Sequence, residues 1–241
     1  MKIGVMTDIH NNIEALNVVL NKFFSLGIKK IICSGDIIGI GPKPEETVKR
    51  IMDFKDIIEC VRGNHDNYLI NGLPNIVPND QNMGYGEIEY HKWEHEKLSE
   101  ESIKFINELP YAKILEICGK TIYICHYSIN NENKYVNYKP NPSLEDLKIM
   151  FKNIDADIIV YGHNHIPAVN NESKKWYINN GSLGCPGNDF NIARAGIINI
   201  NNDNITYEEL NLHYDVKKVI KNIEDMKYPE FKNILKYFYG V

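Results

Sequence analysis

Five short apolar runs in this chain stop abruptly at carboxylate, carboxamide or imidazole side chains. The polar groups are Asp8-Ile9-His10, Gly35-Asp36, Gly63-Asn64-His65-Asp66, His126 and Gly162-His163-Asn164-His165. The runs before them, Lys2 to Met6, Lys30 to Cys33, Ile57 to Val61, Thr121 to Cys125 and Asp157 to Tyr161, have the length and flanks of buried strands. Between the first two runs, Ile13, Leu16, Val19, Leu20 and Phe23 recur at three and four residues until Gly27 ends the pattern, which predicts an amphipathic helix over Ile13 to Leu26. Pro44 to Met52 predicts another, so the opening third alternates strand and helix, the pattern of a parallel α/β sheet. The carboxyl ends of such strands form the ligand crevice, where polar groups far apart in sequence can converge.

After Asp66 the pattern changes. A loop rich in Pro and Asn, Leu73 to Gly84, leads to a polar helix predicted over Glu87 to Leu98 and then to a helix capped by Ser99 that ends at Leu109-Pro110. From Ala112 onward hairpins are expected, with turns at Gly119-Lys120, Asn170-Asn171 and Asn201-Asn202-Asp203, giving a second and more antiparallel sheet. Helical stripes over Asp215 to Phe238 must pack on the core or on a partner, which leaves a homo-oligomer open. The expectation is one domain over residues 1–241, with residues 213–241 as a C-terminal helical appendage.

Composition narrows the function classes. With 43% hydrophobic and 24% charged residues in 241, the chain reads as a packed globular protein. Its net charge of -5 offers no overall attraction for nucleic acid or an anionic membrane, so an anionic ligand needs a local positive site. Neither extended nucleic-acid binding nor a membrane partner is expected. The opening apolar run is too short for a signal peptide and no later stretch would span a bilayer, so a cytoplasmic location is expected. Five unpatterned cysteines read as buried reduced thiols.

Carboxylates, an amide oxygen and imidazoles without thiolate suit borderline divalent ions such as Mn, Fe or Zn better than Ca or Mg. Two such ions roughly 3.5 to 4 Å apart activate water and neutralise charge on a transferring phosphoryl group. The ordered blocks D-x-H, G-D, G-N-H-D, a lone H and G-H-x-H resemble the signature of the calcineurin-like metallophosphoesterase superfamily, and the Gly181-Ser182 loop also looks like that family. The resemblance implies a four-layer α/β sandwich of two mixed β-sheets flanked by helices, with C-terminal helices. It implies a dinuclear centre, manganese favoured, with Asp8, His10 and His165 on one ion, Asn64, His126 and His163 on the other, and Asp36 bridging. His65 would be the catalytic histidine that binds no metal, with Asp66 as its orienting group.

Length and the stretch Ser34 to Pro42 look most like bacterial and archaeal single-domain phosphodiesterases, some of whose relatives are asymmetric diadenosine tetraphosphate hydrolases. The expected activity is hydrolysis of a phosphodiester or phosphoanhydride in a small-molecule phosphoester or nucleotide. Serine/threonine phosphatases carry an Asp-Arg pair after the bridging Asp, whereas Ile38-Gly39-Ile40 stands here, so a serine/threonine-type phosphomonoesterase is the weaker alternative. A non-catalytic scaffold on this fold is disfavoured because no ligand position is lost. His91-Lys92-Trp93-Glu94-His95 matches the H-x-x-E-H zinc-protease pattern. No third ligand is indicated, so Trp93 and Leu98 are expected to pack this helix over the sheet, with Tyr85, Tyr90, His91 and His95 facing the cleft entrance. Lys43, Tyr127, Asn191 and Arg194 could contact phosphate but have no pattern to single them out.

Overall fold

Alternation along the first strand sets the layers. Ile3 and Val5 point into one fully buried cluster with Ile32, Ile122, Ile124, Val160, Ile178 and Ile198, which fills the space between two sheets. Met6, on the opposite face, packs with Leu16, Val19, Leu20 and Phe23 of the following helix. On the far side Tyr123, Cys125 and Ile159 meet Leu147 and Phe151. The result is a helix, sheet, sheet, helix sandwich.

The computed structural model describes residues 1–75, 86–136, 138–185, 187, 189–201 and 204–241. In chain order its elements are β1 (Lys2–Met6), α1 (Ile13–Ser25), β2 (Ile31–Cys33), α2 (Pro44–Met52), β3 (Ile58–Cys60), α3 (Asn64–Asn71), α4 (Glu87–His95), α5 (Glu100–Glu108), β4 (Ala112–Ile117) and β5 (Lys120–Cys125). There follow α6 (Leu144–Met150), β6 (Ile158–Val160), β7 (Pro167–Glu172), β8 (Lys175–Asn180), β9 (Ile192–Asn201), β10 (Asn204–His213), α7 (Val216–Met226) and α8 (Phe231–Ile234), continued by a π-helical turn, Leu235–Tyr239. One sheet runs β10-β9-β1-β2-β3 and the other β4-β5-β6-β8-β7. Both are mixed: β1, β2 and β3 are parallel with β9 antiparallel to β1, while β5, β6 and β8 are parallel between antiparallel edges β4 and β7.

The second sheet is thus less antiparallel than its hairpin-like turns suggest, because β6 enters between β5 and β8 through α6. Ser143 caps α6 and accepts from the Asp146 N–H, while Asp146 closes a capping box. Asn170-Asn171 is no turn: both residues lie inside β7, and the reversal falls at Ser173-Lys174, where Ser173 takes φ +59°. The Asn202-Asp203 turn and most of the Leu73–Gly84 loop lie outside the described residues. The C-terminal stripes pack on the chain's own core: Val219, Ile223, Tyr228, Ile234, Leu235 and Tyr239 join the cluster around α1. All five cysteines are free, and Cys118, in the β4–β5 turn, is exposed rather than buried. No helix of the described residues is long and apolar enough to cross a membrane.

Asp66 ties the strand-end loops together. Fully buried, its carboxylate accepts from the N–H groups of Gly63 (2.9 Å), Ile37 (3.0 Å) and Ile38 (3.2 Å). These contacts are all to backbone, and it does not orient the His65 ring, whose Nδ1 has no hydrogen-bond partner among the described residues. Asp66→Ala would strand three buried donors at a cost of roughly 1 to 3 kcal/mol each. A loss of about 3 kcal/mol or more in urea denaturation is expected; an unchanged midpoint would show that water takes over these contacts.

Candidate metal centre

Each predicted site residue sits just beyond a strand. Asp8 and His10 follow β1, Asp36 follows β2, Asn64 and His65 open α3 after β3, His126 follows β5, and His163 and His165 follow β6. The sandwich brings all eight to one end of the two sheets. Asp8, His10, Asp36, Asn64 and His126 are buried, and His65, His163 and His165 are half-buried. Asp8, His10, Asp36, His163 and His165 all have positive φ, between +48° and +74°. Each such conformation costs on the order of 1 to 3 kcal/mol in a residue with a Cβ and persists only where its surroundings over-determine it. Close backbone approach needs glycine nearby: a Cβ on Gly63 would lie 2.1 Å from Asp36 Oδ1, and one on Gly39 2.6 Å from His65 Nδ1.

The donor atoms form two groups that meet at Asp36. In the first, His165 Nε2 is 3.2 Å and His10 Nε2 3.7 Å from Asp8 Oδ1, and the two imidazole nitrogens face each other at 2.9 Å. In the second, Asn64 Oδ1 is 3.0 Å from His126 Nε2 and 2.8 Å from His163 Nδ1. Asp36 Oδ2 stands 3.2 Å from His126 Nε2 and 3.9 Å from His10 Nε2. Ligand atoms about 2.0 to 2.1 Å from a tetrahedral ion stand roughly 3.3 to 3.4 Å apart, so these spacings fit groups that converge on cations. His65 with His10 and Asp36 makes a further convergent trio.

Supporting contacts aim the donors. His126 Nδ1 lies 2.8 Å from the Ser34 carbonyl and His10 Nδ1 3.2 Å from the Ile38 carbonyl. A carbonyl only accepts, so each Nδ1 carries the hydrogen and each Nε2 presents its lone pair to the site when the ring is neutral. Thr7, unnoticed in the sequence, donates its hydroxyl to Asp8 Oδ2 at 2.8 Å. Burial alone would raise Asp8 and Asp36, but the surrounding histidines outweigh it and hold both carboxyls well below the usual range. Burial would lower His126, yet Asp36 and Asp8 overcome it and push the metal-free imidazole up to about 10. Burial and His126 push His163 down to about 4, and burial holds His65 well below its ordinary value.

A model of the calcineurin-like phosphoesterase superfamily domain matches residues 1–203. The chain belongs to this family. It is a hydrolase acting on phosphate esters, and the family implies divalent metal ions. An uncharacterised protein of Methanocaldococcus jannaschii, MJ0912, is 34% identical over 95% of this chain and 94% of its own. Phosphodiesterase YfcE of Escherichia coli is 22% identical over 77% of this chain and 81% of its own. Among solved structures, a metallophosphoesterase from Sphaerobacter thermophilus shares the fold with a TM-score of 0.76 at 22% identity, covering 100% of this chain and 99% of the other.

Beside the donors opens a cavity of about 530 Å³, lined by His65, His163 and His165 and by Tyr90, Tyr138, Tyr237, Phe238, Glu87 and Glu230. The wall contributed by the C-terminal helices went unseen in the sequence, where their stripes gave only the need to pack. Arg194 is engaged with Asp189, Glu209 and Asn211, and Lys43 with Glu46, so neither is held for phosphate. Since only the neutral ring can ligate through Nε2, divalent metal loading at pH 7 is expected to release about one proton from His126, with affinity falling as pH drops below 10. Calorimetric titrations in buffers of unequal ionisation heat measure that proton; identical heats in all buffers would refute it.

Proposed function

We propose that Asp8, His10 and His165 hold one divalent ion, Asn64, His126 and His163 a second, and that Asp36 bridges them in a phosphodiesterase. The observation that carries this reading is the position of Asp36 Oδ2, within 3.9 Å of a histidine from each group. Transition-metal ions suit the donor set, and manganese is the ion that the family resemblance favours. Ions held there supply positive charge to the phosphoryl oxygens and activate water for attack.

The chain's own residues do the rest. Asp36 accepts the His65 backbone N–H at 2.9 Å, which anchors the start of α3 to the bridging carboxylate and sets His65 in the cavity lining. There the imidazole stabilises the oxygen that departs as the P–O bond breaks. Kept neutral by burial, it serves this role through an N–H hydrogen bond and favours leaving groups of low basicity. The described residues that line the cavity include no lysine or arginine, and Glu87 and Glu230 are among them. A singly charged diester between two apolar or aromatic groups suits such walls better than the dianion of a phosphomonoester. Dinucleoside polyphosphates stay within the reading as phosphoanhydrides, but their additional phosphates meet no cationic side chain in this lining.

Two measurements test the proposal. His65→Ala is expected to keep its metal content while turnover falls about 10²- to 10⁴-fold; full activity would remove His65 from the mechanism. Under one manganese condition, kcat/KM should rank a bis-aryl diester above diadenosine tetraphosphate and both above a phosphoserine peptide, by about tenfold or more at the last step, which corresponds to roughly 1.4 kcal/mol in the barrier. Product analysis would separate ATP plus AMP from two ADP, and a preference for the peptide would overturn the diesterase assignment.

A further inference from the structure

Helix α4 carries a polar cluster that the phosphoesterase site does not use. His91 and Glu94 are fully buried, and His95 beside them is half-buried. Because His91, Glu94 and His95 fall at i, i+3 and i+4, they share one face of the helix. Trp93 points elsewhere, stacking on Tyr228 with ring centroids 4.7 Å apart, so the helix packs on the C-terminal segment while Trp93 and Leu98 join the core cluster on that face of the sheet. His91 does not face the cleft entrance as expected. Its ring lies in a cage of His65, Tyr68, Tyr90 and His95, with centroids 5.0 to 5.8 Å away. Tyr85 lies outside the described residues.

This cluster leaves donor atoms unsatisfied where that is costly. Both ring nitrogens of His91, Nε2 of His95 and Oε1 of Glu94 are buried and make no hydrogen bond. A buried polar atom without a partner costs about 1 to 3 kcal/mol, and four in one place would be hard to sustain. His91 Nδ1 and Glu94 Oε1 face each other at 3.6 Å, too far for a hydrogen bond but close to the roughly 3.4 Å edge expected between two ligands of one tetrahedral zinc ion. One ligand atom from each of His91, Glu94 and His95 lies within 4.8 Å of the other two. The opposite oxygen of the same carboxylate, Glu94 Oε2, is already committed: it accepts from Gly39 N (2.8 Å), Tyr90 OH (2.8 Å) and Asn11 Nδ2.

We infer that His91, Glu94 and His95 form a third divalent-cation site, separate from the strand-end pair and suited to zinc. Two imidazoles and one carboxylate are a donor set that zinc favours, with a fourth position left for water from the half-exposed His95 side. The ion satisfies the orphaned atoms and locks the orientation of Glu94. Through Glu94 Oε2 it ties α4 to Gly39, the residue against which His65 packs, so it braces the wall behind the catalytic histidine. This is no protease centre: the Glu94 oxygen facing away from the cluster is held by three donors, and His91 is shut off from any peptide.

Metal content of the full chain, reconstituted with zinc and freed of excess, decides the matter. The wild type is expected to hold one equivalent more than His91→Ala/His95→Ala. In an Asp36→Asn background, which weakens the strand-end groups, replacing His91 and His95 should again remove one equivalent. That difference of one equivalent does not depend on how many ions the strand-end residues hold, so it fails or succeeds apart from the diesterase reading. If the double variant misfolds by circular dichroism, His95→Gln at the half-exposed position takes its place, with Co(II) as the probe. Subtracting the variant's spectrum, which keeps the strand-end contribution, from that of the wild type should then leave a four-coordinate visible absorption band. Equal metal content and equal Co(II) spectra in wild type and variant would overturn the site and assign the orphaned atoms to buried water.

Discussion

Asp36 is the carboxylate on which the architecture of this end of the molecule turns. It is 1% exposed, and an ionised carboxyl so placed is tolerable only if every lone pair finds compensation. Oδ1 takes the His65 N–H and Oδ2 faces His126, while its backbone carbonyl accepts from Ile9 and His10 at 2.8 and 3.1 Å. The β1, β2, β3 and β5 loops are thereby bound to one residue. The left-handed backbone at Asp8, His10, Asp36, His163 and His165 follows from the same demand, since a loop that must turn its side chain back over the strand end has few conformations available.

The sandwich makes this crowding possible. Two sheets stacked through Ile3, Val5, Ile124, Val160 and Ile178 direct the carboxyl ends of β1, β2 and β3 in one sheet and of β5 and β6 in the other to a common edge. Each sheet provides part of the donor set, and the buried isoleucines and valines between them fix its spacing. A fully buried aliphatic side chain contributes about 1.5 to 3 kcal/mol, enough in sum to offset several strained residues at the loop tips.

Over this floor the later elements build a chamber with its own chemistry. Tyr90 of α4 and Tyr237 and Phe238 of the C-terminal turn form aromatic walls, and Tyr228 ties the two by stacking on Trp93 and donating to the Ile40 carbonyl at 2.9 Å. The C-terminal helices therefore do more than cover apolar surface. They line the cavity beside the clustered carboxylates and imidazoles, whose walls hold no lysine or arginine among the described residues.

The strand-end pattern made the centre legible: Asp8-Ile9-His10, Gly63-Asn64-His65-Asp66 and Gly162-His163-Asn164-His165 each follow an apolar run, and local chain direction suffices to predict that they meet. Helix α1, helix α2 and strand β1 were equally readable, because periodicity and a Pro or Gly at the boundary are local signals. What the sequence could not determine depends on contacts between distant segments. Asp66 reads as a partner for its neighbour His65, yet the Ile37 and Ile38 N–H groups, brought by β2, claim its carboxylate. Asn170-Asn171 reads as a turn, yet the six residue pairs between β7 and β8 absorb it into β7 and move the reversal to Ser173. His91 reads as a residue facing the cleft entrance, yet packing against Tyr68 and Tyr90 buries it, and the Gly39 N–H draws Glu94 inward beside it. Local pattern decides which residues stand at strand ends, whereas burial and hydrogen-bond partners are properties of the assembled fold and are settled only when the layers close.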